Sequence, residues 1–257
     1  MGVQWGKMVT DLSEVEQAAS EGFNFVHPVN DLVANLSEEQ VLRQKASMLD
    51  GGMPFKVCSV PLPADVRVTQ KGFNLYVWME HLKNAASRMA ELGCRKLVWN
   101  DGRARVLPVE GGNAGLKEQV LQFLHMLCAV AENFDMTVLV EPLGPRRTNF
   151  LNTMKETSEF LPRVRKENLS SVISLRELEQ IGLSLSDLAD YRQLIDLVQM
   201  DNPRSYDGAR ICPRPDDGYK YGPFQQALKD IGYSADISLP GDADAGGLEY
   251  CRGLWNE

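Results

Sequence analysis

Eight short apolar runs alternate with longer amphipathic segments, and this alternation constrains the fold of the chain more than any other feature. No run is longer than eight residues, and all are rich in Val, Ile, Leu and Phe, which is typical of parallel strands covered on both faces. The runs lie at 3–8, 23–29, 55–62, 96–101, 137–143, 171–177, 194–201 and 235–241.

The segments between the runs are predicted helices. Apolar residues three and four positions apart indicate helices over 74–92, 115–134 and 223–231. The patterns Asp11–Glu14 and Ser37–Gln40 resemble capping boxes, in which side chains satisfy the free N–H groups of a first helical turn.

A glycine lies directly before, or within a few residues of, the start of several runs. Gly22, Gly93 and Gly232 suit the left-handed position just past a helix end. The run starts are spaced by roughly thirty residues, the size of one βα unit. Eight such units predict an α/β fold, a (β/α)8 TIM barrel formed by a single domain over 1–257. A doubly wound sheet is the second choice, because VQWGKMVTD lacks the glycine-rich turn of that fold.

Composition excludes several classes of protein. The net charge of -8 argues against a nucleic-acid partner, whose binding surface would be basic. No apolar run approaches the ~18 residues of a membrane span, and the N-terminus lacks the apolar core of a signal peptide. The five cysteines are odd in number and show no C-x-x-C spacing. We therefore expect reduced thiols in a cytoplasmic protein, with neither a disulfide framework nor a zinc ribbon.

The fifth run ends in a carboxylate, in the sequence VLVEPLG. In a barrel, a polar residue at the C-terminal end of a strand faces the mouth, where active sites are built. A buried carboxylate needs a metal, an arginine or hydrogen bonds. Glu141 is therefore either a catalytic group or one half of a structural ion pair.

Three polar loops follow strands and should meet at the same face of the barrel. They are 100–114, 144–150 and 201–222. These loops carry eight basic residues, namely Arg103, Arg105, Arg146, Arg147, Arg204, Arg210, Arg214 and Lys220. They predict either a basic mouth that suits an anionic or polyhydroxylated ligand, or solvated surface charge.

Other strand ends offer further candidates. His27 ends the second run and is either a base active near neutral pH or a hydrogen-bonded rim residue. Asn100 and Asp101 end the fourth run and are predicted to bind a ligand. Trp99 either packs against the apolar face of a sugar or belongs to the core. Lys7 either binds a ligand at the first run or lies on the surface.

Three stretches carry a resemblance to a known family. They are VLVEPLGPRRTNFLNTMKETSEFL, AASRMAELGCRKLVWNDGRARVLP and ARICPRPDDGYKYGPFQQALKDIGYSADISL. Together they resemble the xylose-isomerase-like TIM-barrel superfamily, which contains sugar phosphate isomerases and epimerases and the relatives of AP endonuclease family 2. The resemblance covers most of the chain and is firmest from about 85 to 240. It implies a function in carbohydrate metabolism and is compatible with a homo-oligomer.

The resemblance also implies a metal site that this sequence does not reproduce. Typical members hold a divalent metal such as Mn²⁺ with Glu, Asp, His and Glu from successive strand ends, and the two glutamates move a proton beside a carbonyl. Here Glu141 matches the first ligand, and the others fall at Ser174, Gln199 and Pro240. We therefore expect no cofactor. A metal site shifted along the strands is the remaining alternative, and its ligands would be Glu141, Glu177, Asp201 and Asp242.

The resemblance adds further ligand-binding candidates, which are Arg210, Gln199, Arg147 and Asn149. The leading hypothesis is a divergent sugar or sugar phosphate isomerase or epimerase that uses Glu141 and His27 on a small carbohydrate-like molecule. The alternative is a non-catalytic ligand-binding or partner subunit on the same barrel.

Overall fold

The computed structural model describes residues 2–109, 113–205 and 208–256, and it shows eight parallel strands in a nearly closed barrel. Parts of the predicted loops 100–114 and 201–222 lie outside the described residues. The strands are β1 Gln4–Val9, β2 Phe25–Pro28, β3 Val57–Ser59, β4 Lys96–Trp99, β5 Thr137–Val140, β6 Leu169–Ser174, β7 Ile195–Gln199 and β8 Asp236–Leu239. Each strand falls within or overlaps one of the eight predicted runs.

An α-helix follows every strand. The helices are α1 Ser13–Ser20, α2 Glu38–Leu49, α3 Leu75–Glu91, α4 Ala114–Glu132, α5 Met154–Phe160, α6 Leu175–Ile181, α7 Gly222–Asp230 and α8 Ala245–Asn256. The predicted (β/α)8 TIM barrel is therefore confirmed. Gly22, Gly93 and Gly232 all have positive φ, as the left-handed position past a helix requires.

The strands pair in the order β2-β1-β8-β7-β6-β5-β4-β3, and every recorded ladder is parallel. β2 and β3 flank the remaining seam, where the Val26 N–H donates to the Pro54 carbonyl at 3.0 Å. Because all strands run in the same direction, their C-terminal ends and the loops that follow them gather at one face, the barrel mouth.

Side chains along each strand alternate between the barrel interior and the helix layer. The interior holds an apolar layer made of Phe25, Val57, Val98, Leu139, Val172 and Leu197. Gly6 of β1 makes room for the Phe25 ring, since a Cβ at Gly6 would lie 2.1 Å from its Cε2 atom. Residues two positions further along several of these strands therefore face inward at the mouth.

Two local predictions differ from the structure. The run predicted over 171–177 ends as a strand at Ser174, because α6 begins at Leu175. Asp11 does not cap α1 as predicted. The helix starts at Ser13, and the Asp11 carboxylate instead accepts the Ser13 N–H at 2.8 Å in the preceding turn. The capping box predicted at Ser37–Gln40 is confirmed, with both reciprocal bonds formed.

Ion pairs close the opposite end of the barrel. Asp236 at the start of β8 lies 2.6 Å from the Lys56 Nζ and 2.9 Å from the Lys96 Nζ. Charged residues at this end of such barrels contribute to stability rather than to catalysis. The five cysteines are buried free thiols, and among the described residues no helix is long and apolar enough to cross a membrane.

Candidate functional site

Glu141 lies directly after β5 and is fully buried. Its N–H donates to the Trp99 carbonyl at 3.2 Å, which continues the β4–β5 ladder by one residue. Its side chain faces inward, two residues beyond Leu139 of the interior layer. One carboxylate oxygen, Oε1, accepts a hydrogen bond from Arg210 at 2.9 Å, and Oε2 has no partner among the described residues.

Arg210 joins three consecutive strand ends. Its Nη2 donates to Glu141 after β5, and its Nη1 donates to the Ser174 hydroxyl at the end of β6 at 2.9 Å. The same Nη1 donates to the Asp201 carboxylate after β7 at 2.6 Å. The guanidinium therefore lies between the two carboxylates and neutralises part of their charge.

Asp201 is the second buried carboxylate of this cluster and has two cationic neighbours. Besides Arg210, it accepts the main-chain N–H of Arg176 at 3.1 Å, and the Arg176 Nε lies 3.4 Å from its Oδ2. The Ser174 hydroxyl donates to the same carboxylate at 3.3 Å. Asp201 thus anchors the loop after β7 to the beginning of α6.

The pKa shifts follow from burial and from these charges. Burial raises the pKa of Glu141, and the neighbouring Arg210 opposes that rise. For Arg210, burial lowers the pKa but the Glu141 and Asp201 carboxylates outweigh it, so its pKa lies above the usual value. Arg210 is consequently a permanent cation, and Glu141 is a weaker acid than an exposed glutamate.

His27 and Gln199 complete the inward-facing polar layer. The His27 Nδ1 lies 3.1 Å from the Ser238 hydroxyl of β8. The His27 Nε2 and the Gln199 Oε1 are buried without a partner among the described residues. Burial, assisted by the Arg210 charge, lowers the pKa of His27 to about 3, so the imidazole is neutral at pH 7.

The shift of His27 predicts a pH dependence of stability. Its pKa in the folded protein, about 3, lies below the reference value of 6.5, so the unfolded chain takes up the proton first. Its contribution is present above pH 6.5 and is lost as the pH falls toward 3, at up to about 1.4 kcal/mol per pH unit. Urea unfolding at a series of pH values should show a flatter profile for His27→Gln than for the wild type, and parallel profiles would contradict the assignment.

A cavity of about 660 Å³ opens at the mouth over the ends of β2 to β5. This volume is within the range of small-molecule sites. Polar side chains dominate its lining, namely Asn30, Asp31, Ser59, Asn100, Asp101, Arg103, Arg146 and Arg147. The structure therefore brings three of the predicted ligand-binding residues, Asn100, Asp101 and Arg147, to one cavity.

Two residues of the loop after β5 have structural partners. The Arg147 Nε lies 2.9 Å from the buried Glu177 carboxylate, which also accepts the Gly144 N–H at 2.8 Å. Asn149 forms two hydrogen bonds with the main chain of Leu107, at 2.7 and 2.8 Å. Asn149 therefore ties the loops after β4 and β5 together, so its predicted ligand role is replaced by a role in loop geometry.

Trp99 and Lys7 point away from the mouth. Trp99 packs between the sheet and α4, with its ring 5.2 Å from that of Phe123. Lys7 is buried against α1, and its Nζ pairs with Glu21 at 2.7 Å, just before β2 begins. Both predictions for a ligand contact fail for the same reason, because these two residues occupy outward positions on their strands.

Two buried arginines, Arg105 and Arg176, contact Glu141 and Asp201 of the site, which the sequence did not predict. Arg176 is not among the residues predicted from the sequence, although it lies two positions after the end of β6. Arg105 appeared only as one of many basic loop residues. It is fully buried, stacks 5.3 Å from the Trp99 ring and donates to the Glu141 carbonyl. Burial lowers the pKa of Arg105 to about 10. A search for charged residues within two positions of each strand end would have found Arg176.

A comparison with protein families identifies the family of this chain. The xylose isomerase-like TIM barrel family matches residues 15–240. The chain belongs to this family. No curated protein matches it significantly. Among solved structures, D-psicose 3-epimerase from Clostridium cellulolyticum H10 with D-tagatose gives a TM-score of 0.83 at 13% identity, over 98% of this chain and 99% of that chain.

Two further solved structures are similar to this chain over nearly all of its length. The 3-keto-D-glucoside 4-epimerase from E. coli gives a TM-score of 0.79 at 14% identity and covers 98% of this chain and 99% of that one. L-ribulose 3-epimerase gives a TM-score of 0.75 at 17% identity, over 99% of this chain and 88% of that chain. At these identities the comparisons establish the shared barrel.

The divalent metal typical of this family does not fit the residues present. Within residues 2–109, 113–205 and 208–256, no three His, Cys, Asp or Glu side chains are grouped as a metal site. The Arg210 guanidinium lies between Glu141 and Asp201, so those carboxylates already share a cation. Of the shifted-site candidates, Glu177 pairs with Arg147, and Asp242 accepts the Cys212 N–H at 2.8 Å.

Proposed function

We propose that this chain binds a small polyhydroxylated, carbohydrate-like molecule at the barrel mouth and acts on it as an isomerase- or epimerase-type enzyme. The main support is a set of buried polar atoms without partners among the described residues. These atoms are the Glu141 Oε2, the Gln199 Oε1 and the His27 Nε2, on the inner face of β5, β7 and β2. Each buried unpaired group costs about 1–3 kcal/mol, a cost that ligand hydroxyl groups or water would remove.

The adjoining cavity supplies the room for such a ligand. Ser59 and Asn100 line it at the ends of β3 and β4, and Leu143 lines it two residues after Glu141. Hydroxyl and amide groups can donate to or accept from sugar hydroxyls, and guanidinium groups can donate to them. Arg103 and Arg147 also line the cavity, paired with Asp101 and Glu177, and a guanidinium has further N–H groups that suit an anionic substituent such as a phosphate.

Glu141 is the proposed base. Its Oε2 would take a proton from a carbon next to a carbonyl, and the C–H electrons would move to the carbonyl oxygen to give an enediolate. Return of the proton to the former carbonyl carbon, with the proton of the adjacent hydroxyl passing to the oxyanion, completes an isomerisation. Return of a proton to the original carbon from the opposite face, with the oxyanion reverting to the carbonyl, completes an epimerisation. A carboxylate with a pKa raised by burial is a stronger base than an exposed one. His27 is neutral at pH 7 because burial lowers its pKa to about 3, so its proposed part is a hydrogen bond from Nε2 to a ligand hydroxyl group and not the base active near neutral pH that the sequence also allowed.

The test compares wild-type protein with Glu141→Gln on a panel of ketoses, inososes and sugar phosphates. Ligands that raise the midpoint of thermal unfolding identify binders, and exchange of substrate hydrogen with D₂O reports proton transfer. We expect Glu141→Gln to retain binding while exchange falls by about 10²–10⁴-fold. Glu132→Gln, on the exposed end of α4, is the matched control.

A non-catalytic binding or partner subunit is the second candidate. It is favoured by the engagement of Glu141 with Arg210 and by Ser174, Gln199 and Pro240 at the positions of the family's other ligands. The same experiment separates the two candidates. A ligand that stabilises the wild-type protein without any hydrogen exchange would support binding alone, and unchanged exchange in Glu141→Gln would remove Glu141 from the mechanism.

A further inference from the structure

We propose that the Arg210 guanidinium is a resident cation of the barrel mouth and takes the place of a bound divalent metal. The geometry comes from three consecutive strands. Glu141, Ser174 and Asp201 follow or end β5, β6 and β7, and all three accept hydrogen bonds from Arg210. A cation therefore already occupies the point where these strand ends converge.

The charge of this cation is permanent. An arginine stays protonated at every pH at which the protein is folded. Here the Glu141 and Asp201 carboxylates raise the pKa further, against the opposing effect of burial. The Arg210 side chain is 16% exposed and both carboxylates are fully buried, so the pair of charges is shielded from salt. Neither deprotonation nor a higher salt concentration removes this positive charge from between Glu141 and Asp201.

A divalent metal would have to displace this tethered charge. Mn²⁺ and Mg²⁺ need several charged or well-placed oxygen ligands. The guanidinium already neutralises part of the charge of both carboxylates, and the strand ends at which the family's other ligands would fall carry Ser174, Gln199 and Pro240. Removal of Arg210 would leave Glu141 without its counter-charge and Asp201 with Arg176 alone, so the two carboxylates could attract an external cation.

Arg210 can also hold a ligand oxygen. A guanidinium has five N–H groups, and three of them make the bonds to Glu141, Ser174 and Asp201, which leaves two without a partner among the described residues. These two can bind and polarise a carbonyl or enediolate oxygen. This last step rests on the proposed function, whereas the replacement of the metal does not.

Mn²⁺ titration followed by electron paramagnetic resonance tests the replacement without any sugar. Wild-type protein should leave the signal of free Mn²⁺ unchanged, and its thermal midpoint should respond to neither Mn²⁺ nor a chelator. Arg210→Ala should bind Mn²⁺ roughly tenfold or more tightly than the wild type, because Glu141 loses its counter-charge and Asp201 loses the nearer of its two. Arg214→Ala is the matched control, since Arg214 lies in the same loop and pairs with the exposed Asp244.

Two results would overturn the proposal. One is stoichiometric Mn²⁺ binding by the wild type that Glu141→Gln abolishes. The other is a folded Arg210→Ala protein with no more Mn²⁺ affinity than Arg214→Ala. Arg210→Gln replaces the alanine variant if that variant does not fold, and Arg210→Lys, which keeps the charge, should remain free of Mn²⁺. Absence of carbohydrate binding alongside the expected Mn²⁺ results would reject the proposed function and leave the resident cation standing.

Discussion

Replacing Asp201 with alanine should lower the free energy of unfolding by about 3–5 kcal/mol, because it removes a buried carboxylate that two arginines share and leaves Arg210 with Glu141 alone. Arg176 and Arg210 both contact this fully buried carboxylate, and the Arg176 side chain is only 6% exposed. An unpaired buried charge costs far more than the net gain from the intact pair. The variant also frees the main-chain N–H of Arg176.

Urea unfolding gives the measurement, and an exposed ion pair gives the control. Glu39→Ala breaks a pair with Arg43 in which both side chains are more than two-thirds exposed. Its loss should cost no more than about 1 kcal/mol. Asp201→Asn keeps the shape of the side chain and removes only the charge, so it should be nearly as unstable as Asp201→Ala. A loss for Asp201→Ala as small as that of Glu39→Ala would show that the cluster adds little to stability.

The interior contact between Gly6 and Phe25 should give the second large effect. Phe25→Ala opens a cavity in the barrel interior and should cost about 3–5 kcal/mol. Gly6→Ala alone should cost about 1–3 kcal/mol by overpacking, since the new Cβ would lie 2.1–2.6 Å from three atoms of the Phe25 ring. In the Phe25→Ala background, the same glycine substitution meets no ring and should be nearly neutral.

A double-mutant cycle of the four proteins measures this coupling. The expected interaction energy is about 1–3 kcal/mol, obtained from urea unfolding of the wild type, both single variants and the double variant. Strictly additive effects would mean that the Phe25 ring moves aside without cost. The cycle therefore reports how much the close packing of Phe25 against Gly6 contributes to stability.

The sequence determined the barrel because its signal is repeated eight times. Each apolar run is short, the segments between the runs have helical periodicity, and several helices end at a glycine, so an error at one boundary does not change the topology. The boundary at β6 was missed for a local reason. The apolar residues of the strand continue into Leu175 and Leu178, whose burial serves α6 instead.

The site was less predictable because it depends on which face of each strand points inward. Glu141 and His27 lie at inward positions, whereas Trp99 and Lys7 face the helices. Val98 and Trp99 are both apolar and neighbouring, so alternation alone does not tell which of them enters the interior. Pairing across loops was also hidden, since Arg176 and Asp201 are 25 positions apart and meet only in the folded barrel.

Because Arg210 pairs with both Glu141 and Asp201, the presence of a cation between these carboxylates depends on the folding of the chain. A dissociable ion would fill such a site to an extent set by its concentration in solution. A guanidinium on the loop after β7 fills it to an extent set by the conformation of that loop, as an intramolecular partner with a fixed effective concentration. The placement of Arg210 beside Glu141 therefore also fixes the orientation of the Glu141 carboxylate.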